Sequence, residues 1–135
     1  AKFADNLQKL GLDYSLIRER YGYELSSGEL RLATIALGIT LAPQLTIFDE
    51  PTIALSPSSR IKFEYLLEKF DLQKEFMIIS HDYRLLRKLC RNILIFDKGS
   101  VIFEGEWKIL DQNFSIIHKV GLNLLEKSYQ RNSNE

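Results

Sequence analysis

Two short apolar runs, each closed by polar residues, constrain this sequence most. Residues 45–48 form the first run and end at Asp49 and Glu50, and residues 76–79 form the second and are followed by the polar residues 80–82. Such runs are typical of strands buried in a parallel sheet. Helical segments alternate with them, and the order strand, helix, strand, helix, strand predicts an α/β fold. Because ligands bind at the carboxyl ends of parallel strands, we expect the two polar clusters to meet at one edge.

A long helix is predicted before the first strand, from Ser26 or Ser27 to residue 42. Serines can cap its start, Glu29 lies in its first turn, and Pro43 stops it. An apolar stripe along one face would bury it against the rest of the chain. That stripe consists of Leu30, Ala33, Leu37 and Leu41.

Shorter elements surround these segments. Apolar spacing and turn residues predict them along most of the chain, with Ser58 capping the helix between the two strands. The predicted elements are helices at 3–10, 14–20, 58–70 and 83–89, a loop at 21–24, a hairpin of 92–96 with 101–103, and helical turns at 107–110, 114–119 and 122–129.

The composition excludes some classes of protein. The chain has 18 basic and 18 acidic residues, which disfavours a nucleic-acid binder because such proteins rely on a basic surface. Its longest apolar stretch, residues 32–42, is far shorter than the ~20 residues of a spanning helix. The single cysteine, Cys90, fits a reducing compartment. The chain begins with Ala1 instead of a methionine, so we expect it to have been processed or cut from a longer one.

Four segments, in their order and spacing, resemble motifs of the ABC ATPase family. Residues 25–29 resemble the signature motif, and residues 45–51 resemble the Walker B strand with its catalytic glutamate. Residues 54–57 stand where the D-loop belongs, and residues 79–82 resemble the switch-histidine loop. The resemblance covers residues 1 to about 106. It implies a P-loop NTPase fold with an ABC ATPase-type parallel sheet and a helical subdomain.

The resemblance implies roles for three residues at the strand ends. Asp49 would hold Mg²⁺ through its water shell, and the metal would offset phosphate charge. Glu50 follows Asp49, and its side chain points in a different direction, so it would act as base or orienter for the attacking water. His81 would contact the γ-phosphate and orient that water. The alternatives are a turn residue for Asp49, a helix-dipole carboxylate for Glu50 and a core histidine for His81.

The signature resemblance implies a second contact with ATP. Ser26 starts a helix, and the backbone N–H groups of Ser27, Gly28 and Glu29 would point outward to bind a phosphate. In the family this motif closes over ATP on the opposite subunit, which implies a homo- or heterodimer with ATP at the interface. An ordinary serine cap is the alternative, and both can hold.

Two positions depart from the family pattern. The family usually has glycine where Ser27 stands. In the D-loop, formed here by Ala54, Leu55 and Ser56, it usually has aspartate where Ser56 stands. These departures put the full activity of one composite ATP site in doubt.

The sequence contains no Gly-x-x-x-x-Gly-Lys-Ser/Thr phosphate loop. In the family that loop precedes the helical segment with which this chain begins. We therefore expect the chain to be the C-terminal half of a nucleotide-binding domain, inactive alone and an ATPase in the complete protein. Its expected parts are residues 1–42 for the rest of the helical subdomain, 43–106 for the catalytic core and 107–135 for a helical extension.

Within the family, the energy-coupling-factor group shows the strongest resemblance, carried by residues 11–13, Pro57, 99–105 and 119–123. It implies an ATPase that energises uptake of a metal ion or a vitamin. Its partners would be transmembrane subunits, with no nucleic acid, and it would lie peripherally on the cytoplasmic face of the membrane.

Two alternatives remain open. A DNA-repair or chromosome-maintenance head domain shares the signature and Walker B motifs, but carries a long coiled coil before the signature. Residues 1–24 instead predict short helices broken by Gly11 and Gly22. A degenerate, non-hydrolysing module is the second alternative. Ser56 and the missing phosphate loop support it, and Glu50 with His81 argues against it.

Overall fold

A computed structural model of the chain describes residues 1–41, 43–69 and 75–121. The predicted helical turn at 122–129 lies outside these residues. The elements are α1 (Lys2–Leu10), two 3₁₀ turns (Tyr14–Leu16 and Gly22–Glu24), α2 (Ser27–Leu41), β1 (Leu45–Asp49), α3 (Pro57–Glu68), β2 (Glu75–Ile79), α4 (Tyr83–Leu89), β3 (Asn92–Asp97), β4 (Ser100–Glu106), α5 (Trp107–Leu110) and α6 (Phe114–Lys119).

The chain divides into two compact units, an N-terminal unit of residues 1–81 and a C-terminal unit of residues 82–135. The division falls inside the predicted catalytic segment 43–106. The three-part organisation expected from the sequence stays a prediction about the complete protein.

The N-terminal unit contains the predicted parallel pair. Strand β1 pairs with β2 in parallel, with Ile47 opposite Met77. Side chains alternate across such a sheet, and the described residues cover only one of its faces. Thr46, Phe48 and Ile78 are buried, whereas Ile47 and its neighbours on the other face are exposed. The parallel pairing is therefore confirmed, but the prediction that these strands are buried is wrong for one face.

The covered face packs on a helical core. Helix α1 lies against α2 and α3 and contributes the fully buried Leu7 and Leu10. The Phe63 ring of α3 meets Phe48 edge to face, with 5.7 Å between the ring centroids. This contact fixes α3 on the covered side of β1. Because β1 and β2 run parallel, their carboxyl ends lie at the same edge of the unit.

Helix α2 buries a different face from the one predicted. Leu32, Ile35 and Ala36 are buried, whereas Leu30, Leu37 and Leu41 of the predicted stripe are exposed. The helix is apolar on nearly all sides, so the spacing of its apolar residues does not distinguish one face from another. The prediction of the helix is correct, and that of its buried face is wrong.

Two local predictions also change. The cap of α3 is Ser56, not Ser58: the Ser56 hydroxyl accepts a hydrogen bond from the Ser59 amide at 3.2 Å, and Pro57 occupies the first helical position. Residues 14–20 do not form a helix. They begin with one 3₁₀ turn, in which the Asp13 carboxylate accepts a bond from the Ser15 amide at 2.8 Å.

The C-terminal unit contains the predicted hairpin, in which β3 and β4 pair antiparallel with an irregularity between Ile95 and Phe96. Among the described residues, β3 and β4 form a two-stranded sheet of their own, whereas the predicted alternation of strands and helices required β3 to belong to the parallel sheet. The Trp107 indole donates to the Cys90 carbonyl at 2.9 Å. Arg87 stacks over the Trp107 ring and forms an ion pair with Asp111. No helix in the described part of the chain combines the length and apolar character that a bilayer span needs.

Candidate functional site

Glu50 occupies a sharp turn at the end of β1. Its φ is 44°, a left-handed conformation that costs a residue with a side chain roughly 1–2 kcal/mol. The turn is held because the Glu50 amide donates to the Ile79 carbonyl at 2.8 Å, which extends the pairing of the two strands by one residue. Such backbone strain is common at functional sites. Here it brings the Glu50 side chain to the end of β2.

The Glu50 carboxylate joins the two polar clusters. Its Oε2 atom accepts a hydrogen bond from the Ser80 hydroxyl at 2.9 Å. Its Oε1 atom accepts one from the His81 amide at 3.1 Å and lies 2.7 Å from the His81 Nδ1 atom. The predicted convergence of the strand ends is therefore confirmed. Ser80 was not predicted as a site residue, although its position next to His81 was the available signal.

His81 holds Glu50 with one edge of a largely exposed ring. Its side chain is 82% exposed, against 27% for Glu50. An ionised carboxylate only accepts hydrogen bonds, so Nδ1 carries the proton that is shared with Glu50. The histidine is therefore not a core residue. Most of its ring remains accessible to a ligand that approaches the strand ends.

The neighbours of Glu50 control its charge. Burial by itself raises the pKa of Glu50, but the interactions with His81 and Ser80 together outweigh it and keep the pKa below its ordinary value. The carboxylate is therefore ionised near neutral pH. A carboxylate has about four acceptor positions, so the three bonds from Ser80 and His81 leave room for one water.

We expect Ser80→Ala to raise the pKa of Glu50, because it removes a donor that stabilises the carboxylate. The folded-state pKa lies below the unfolded-state value of about 4.3, so ionised Glu50 stabilises the fold above that pH, and the stabilisation is lost as pH falls through the folded-state pKa. In the variant, less stability should therefore be lost as the pH falls. An NMR titration of the Glu50 carboxyl carbon measures the change, with the exposed Ser100→Ala as control. An unchanged titration would contradict the contact.

Asp49 lies on the exposed face of β1, next to Glu50 but pointing elsewhere. No group of three or more His, Cys, Asp or Glu side chains among the described residues could hold a metal by itself. Magnesium does not need one, because it keeps several waters and binds one or two carboxylates together with phosphates. One exposed carboxylate at a strand end fits that chemistry, so Asp49 remains the residue we expect to hold Mg²⁺.

The signature segment forms a capping box at the start of α2. The Ser26 amide donates to Glu29 Oε2 at 2.8 Å, and the Glu29 amide donates to the Ser26 hydroxyl at 3.2 Å. These bonds from Ser26 hold the pKa of Glu29 below its ordinary value. The Glu29 N–H is therefore used by the cap, and the prediction that it points outward is wrong. The predicted phosphate contacts are then limited to the N–H groups of Ser27 and Gly28.

The D-loop segment lies directly behind this helix start. A side chain on Gly28 would meet the Ala54 carbonyl oxygen at 3.1 Å, so glycine at this position permits a close approach. Ala54 itself has a left-handed φ of 65°. Leu55 is half-buried, and Ser56 caps α3, a role that aspartate also performs well. The fold therefore accepts serine or aspartate at position 56.

Comparisons with known proteins show which sequences this chain resembles. No family model matches the chain. It is 34% identical to the energy-coupling factor transporter ATP-binding protein EcfA2 of Clostridium tetani and 31% identical to that of Clostridioides difficile, over 89% and 88% of its length. It is 33% identical over 73% of its length to an uncharacterized ABC transporter ATP-binding protein, YejF, of Escherichia coli. The chain spans about two fifths of the EcfA2 proteins, since it covers 42% of each.

Solved structures give the same result for the fold. The chain superposes on MJ1267, an ATP-binding cassette of an ABC transporter, with a TM-score of 0.57 and 26% identity, covering 78% of this chain and 41% of that one. For a dimeric structure of the ATP-binding cassette MJ0796 bound to ADP and Pi, the TM-score is 0.67 at 24% identity, covering 76% of this chain and 44% of that one. The predicted fold is confirmed as part of an ABC ATPase domain, as is the resemblance to energy-coupling-factor and other ABC ATPases.

Proposed function

We propose that the complete protein is the ATP-hydrolysing subunit of an ABC-type transporter, and that this chain supplies its hydrolytic residues. The observation that carries the proposal is the Glu50 carboxylate at the end of β1, held by Ser80 and His81 from the end of β2. The names of the similar proteins support the same class. The energy-coupling-factor resemblance supports uptake of a metal ion or a vitamin as the process that is driven.

In this proposal Glu50 accepts a proton from the attacking water. Both of its oxygens already accept hydrogen bonds, and these lower its pKa and its strength as a base. The largest lowering contribution comes from the His81 ring. If the exposed ring turns from Glu50 toward a γ-phosphate, the carboxylate loses that donor and its pKa rises. His81 would then orient the water while Glu50 becomes the stronger base.

The remaining groups bind and orient ATP. Bound Mg²⁺ would offset the phosphate charge, and Asp49 is the residue that would hold it through water. The Ser27 and Gly28 N–H groups, at the positive end of α2, would bind the phosphate of an ATP held mainly by a second ATPase subunit. Ser26 and Glu29 shape that helix start, and Ala54, Leu55 and Ser56 connect it to the strand ends.

The proposed assembly is a homo- or heterodimer of ATPase subunits with ATP at the interface. It would bind transmembrane subunits and lie peripherally on the cytoplasmic face of the membrane, without nucleic acid. Residues 1–42 would belong to the helical subdomain, 43–106 to the catalytic core and 107–135 to a C-terminal extension. Support for the dimer comes from the resemblance of residues 25–29 to a motif that closes over ATP on the opposite subunit.

The test compares the complete protein with residues 1–135. We expect the complete protein to bind and hydrolyse Mg-ATP, and residues 1–135 to show no binding, because they contain no phosphate loop. Calorimetric titration measures binding and phosphate release measures hydrolysis. Absence of hydrolysis by the complete protein would contradict the ATPase. Micromolar affinity of residues 1–135 alone would contradict our view that the ATP cradle lies outside this segment.

A further inference from the structure

Arg20 connects the start of α2 to the turn that precedes it. Its Nη1 atom lies 3.3 Å from Glu29 Oε1, and its Nη2 atom donates to the Glu24 carbonyl. The Glu24 carboxylate in turn accepts a hydrogen bond from the Tyr21 amide at 2.7 Å. The guanidinium therefore holds a side chain of the signature segment and the backbone of the turn at the same time.

The Glu29 carboxylate puts a negative charge near the groups proposed to bind the phosphate. It lies in the first turn of α2, beside the Ser27 and Gly28 N–H groups that we assign to a phosphate. Its bonds to Ser26 keep it ionised, so a fixed negative charge lies close to where an anion must bind. Charges a few ångströms apart near a protein surface interact strongly, because the local dielectric is well below that of water.

We propose that Arg20 is a positioning residue of the signature segment: it cancels the Glu29 charge and fixes that carboxylate in its cap, so that the Ser27 and Gly28 N–H groups can bind the terminal phosphate of ATP. The proposal rests on the proposed function. Arg20 touches neither the phosphate nor the reacting atoms, and acts through Glu29. The competing explanation is structural, with Arg20 only holding the turn at the Glu24 carbonyl.

A double-mutant cycle in the complete protein separates these explanations. We expect Arg20→Gln to leave Glu29 uncompensated and to lower kcat/KM for Mg-ATP by roughly tenfold, mainly through KM. Glu29→Gln removes the charge that needs compensation, so the double variant should recover to within about threefold of Glu29→Gln alone. Arg18→Gln is the matched control. Arg18 lies two residues before Arg20 and forms an exposed ion pair with Glu19.

Each outcome decides the matter. A structural role of Arg20 predicts that the double variant remains as impaired as Arg20→Gln, and that the melting temperature falls in both. An unimpaired Arg20→Gln protein, an unrescued double variant, or an equal loss in Arg18→Gln contradicts the proposal while the ATPase itself stands. A wild-type protein that hydrolyses no ATP contradicts the proposed function, and the role of Arg20 with it.

Discussion

Glu50→Gln in the complete protein is expected to slow ATP hydrolysis by roughly 10²–10⁴-fold, the usual contribution of a positioned general base. The variant should still bind Mg-ATP and accumulate as an ATP-bound dimer. Binding survives because the contacts proposed for the phosphate, at Ser27, Gly28 and His81, are unchanged. Only the group that takes the proton from water is lost.

The geometry of the site makes this substitution informative. The amide of glutamine has the shape of the carboxylate, and its oxygen can still accept a bond from His81, as Glu50 Oε1 does. Its NH₂ group can donate to the Ser80 hydroxyl, which can also accept. We therefore expect the left-handed turn at residue 50 and the strand ends to keep their structure.

Single-turnover hydrolysis with radiolabelled ATP measures the chemical step, and size-exclusion chromatography with Mg-ATP detects the trapped dimer. Glu19→Gln is the control, because this exposed carboxylate lies outside the site and should leave the rate unchanged. A Glu50→Gln rate within tenfold of wild type would reject the proposed role. An equal loss in Glu19→Gln would show that the assay reports a general effect of charge.

The strand ends could be predicted from the sequence because the signal there is local. Apolar runs at 45–48 and 76–79 end in polar residues, and parallel pairing then places Glu50 beside Ser80. The face of α2 could not be predicted in this way. Its outward Leu37 and its inward Leu32 are equally apolar, so only the tertiary contacts with α1 and β1 decide which is buried.

Capping and charge pairing show the same limit. Ser56, Ser58 and Ser59 can each cap a helix, and the choice of Ser56 follows from Pro57, which is favoured at a first helical position. Pro57 was part of the family resemblance, but its effect on the choice of cap was not predicted. Arg20 reaches Glu29 across nine residues, and no helical or strand spacing predicts that pair. The clusters could be predicted, but the side chains that support them could not.

The open face of the β1–β2 sheet leads to the second large effect. Leu45, Ile47, Met77 and Ile79 lie on this face, and Ile47 is 57% and Ile79 50% exposed. Full burial of such a side chain contributes roughly 1.5–3 kcal/mol, so covering the exposed halves of all four contributes roughly 3–6 kcal/mol. A domain is stable by only about 5–15 kcal/mol. Cover for this face can therefore decide whether residues 1–135 fold stably.

We expect residues 1–135 alone to aggregate or to unfold with little cooperativity, and to be rescued when the remainder of the complete protein is added in trans. Exposed apolar strands also invite pairing between chains, which is the expected route to aggregation. Urea denaturation with and without the added part measures the rescue. Ile47→Ser should reduce both the aggregation and the rescue, whereas Ile61→Ser should change neither, although Ile61 on α3 is even more exposed, at 66%. A sharp transition of a monomeric 1–135 chain that the added part does not shift, or equal effects of the two substitutions, would show that this face needs no cover.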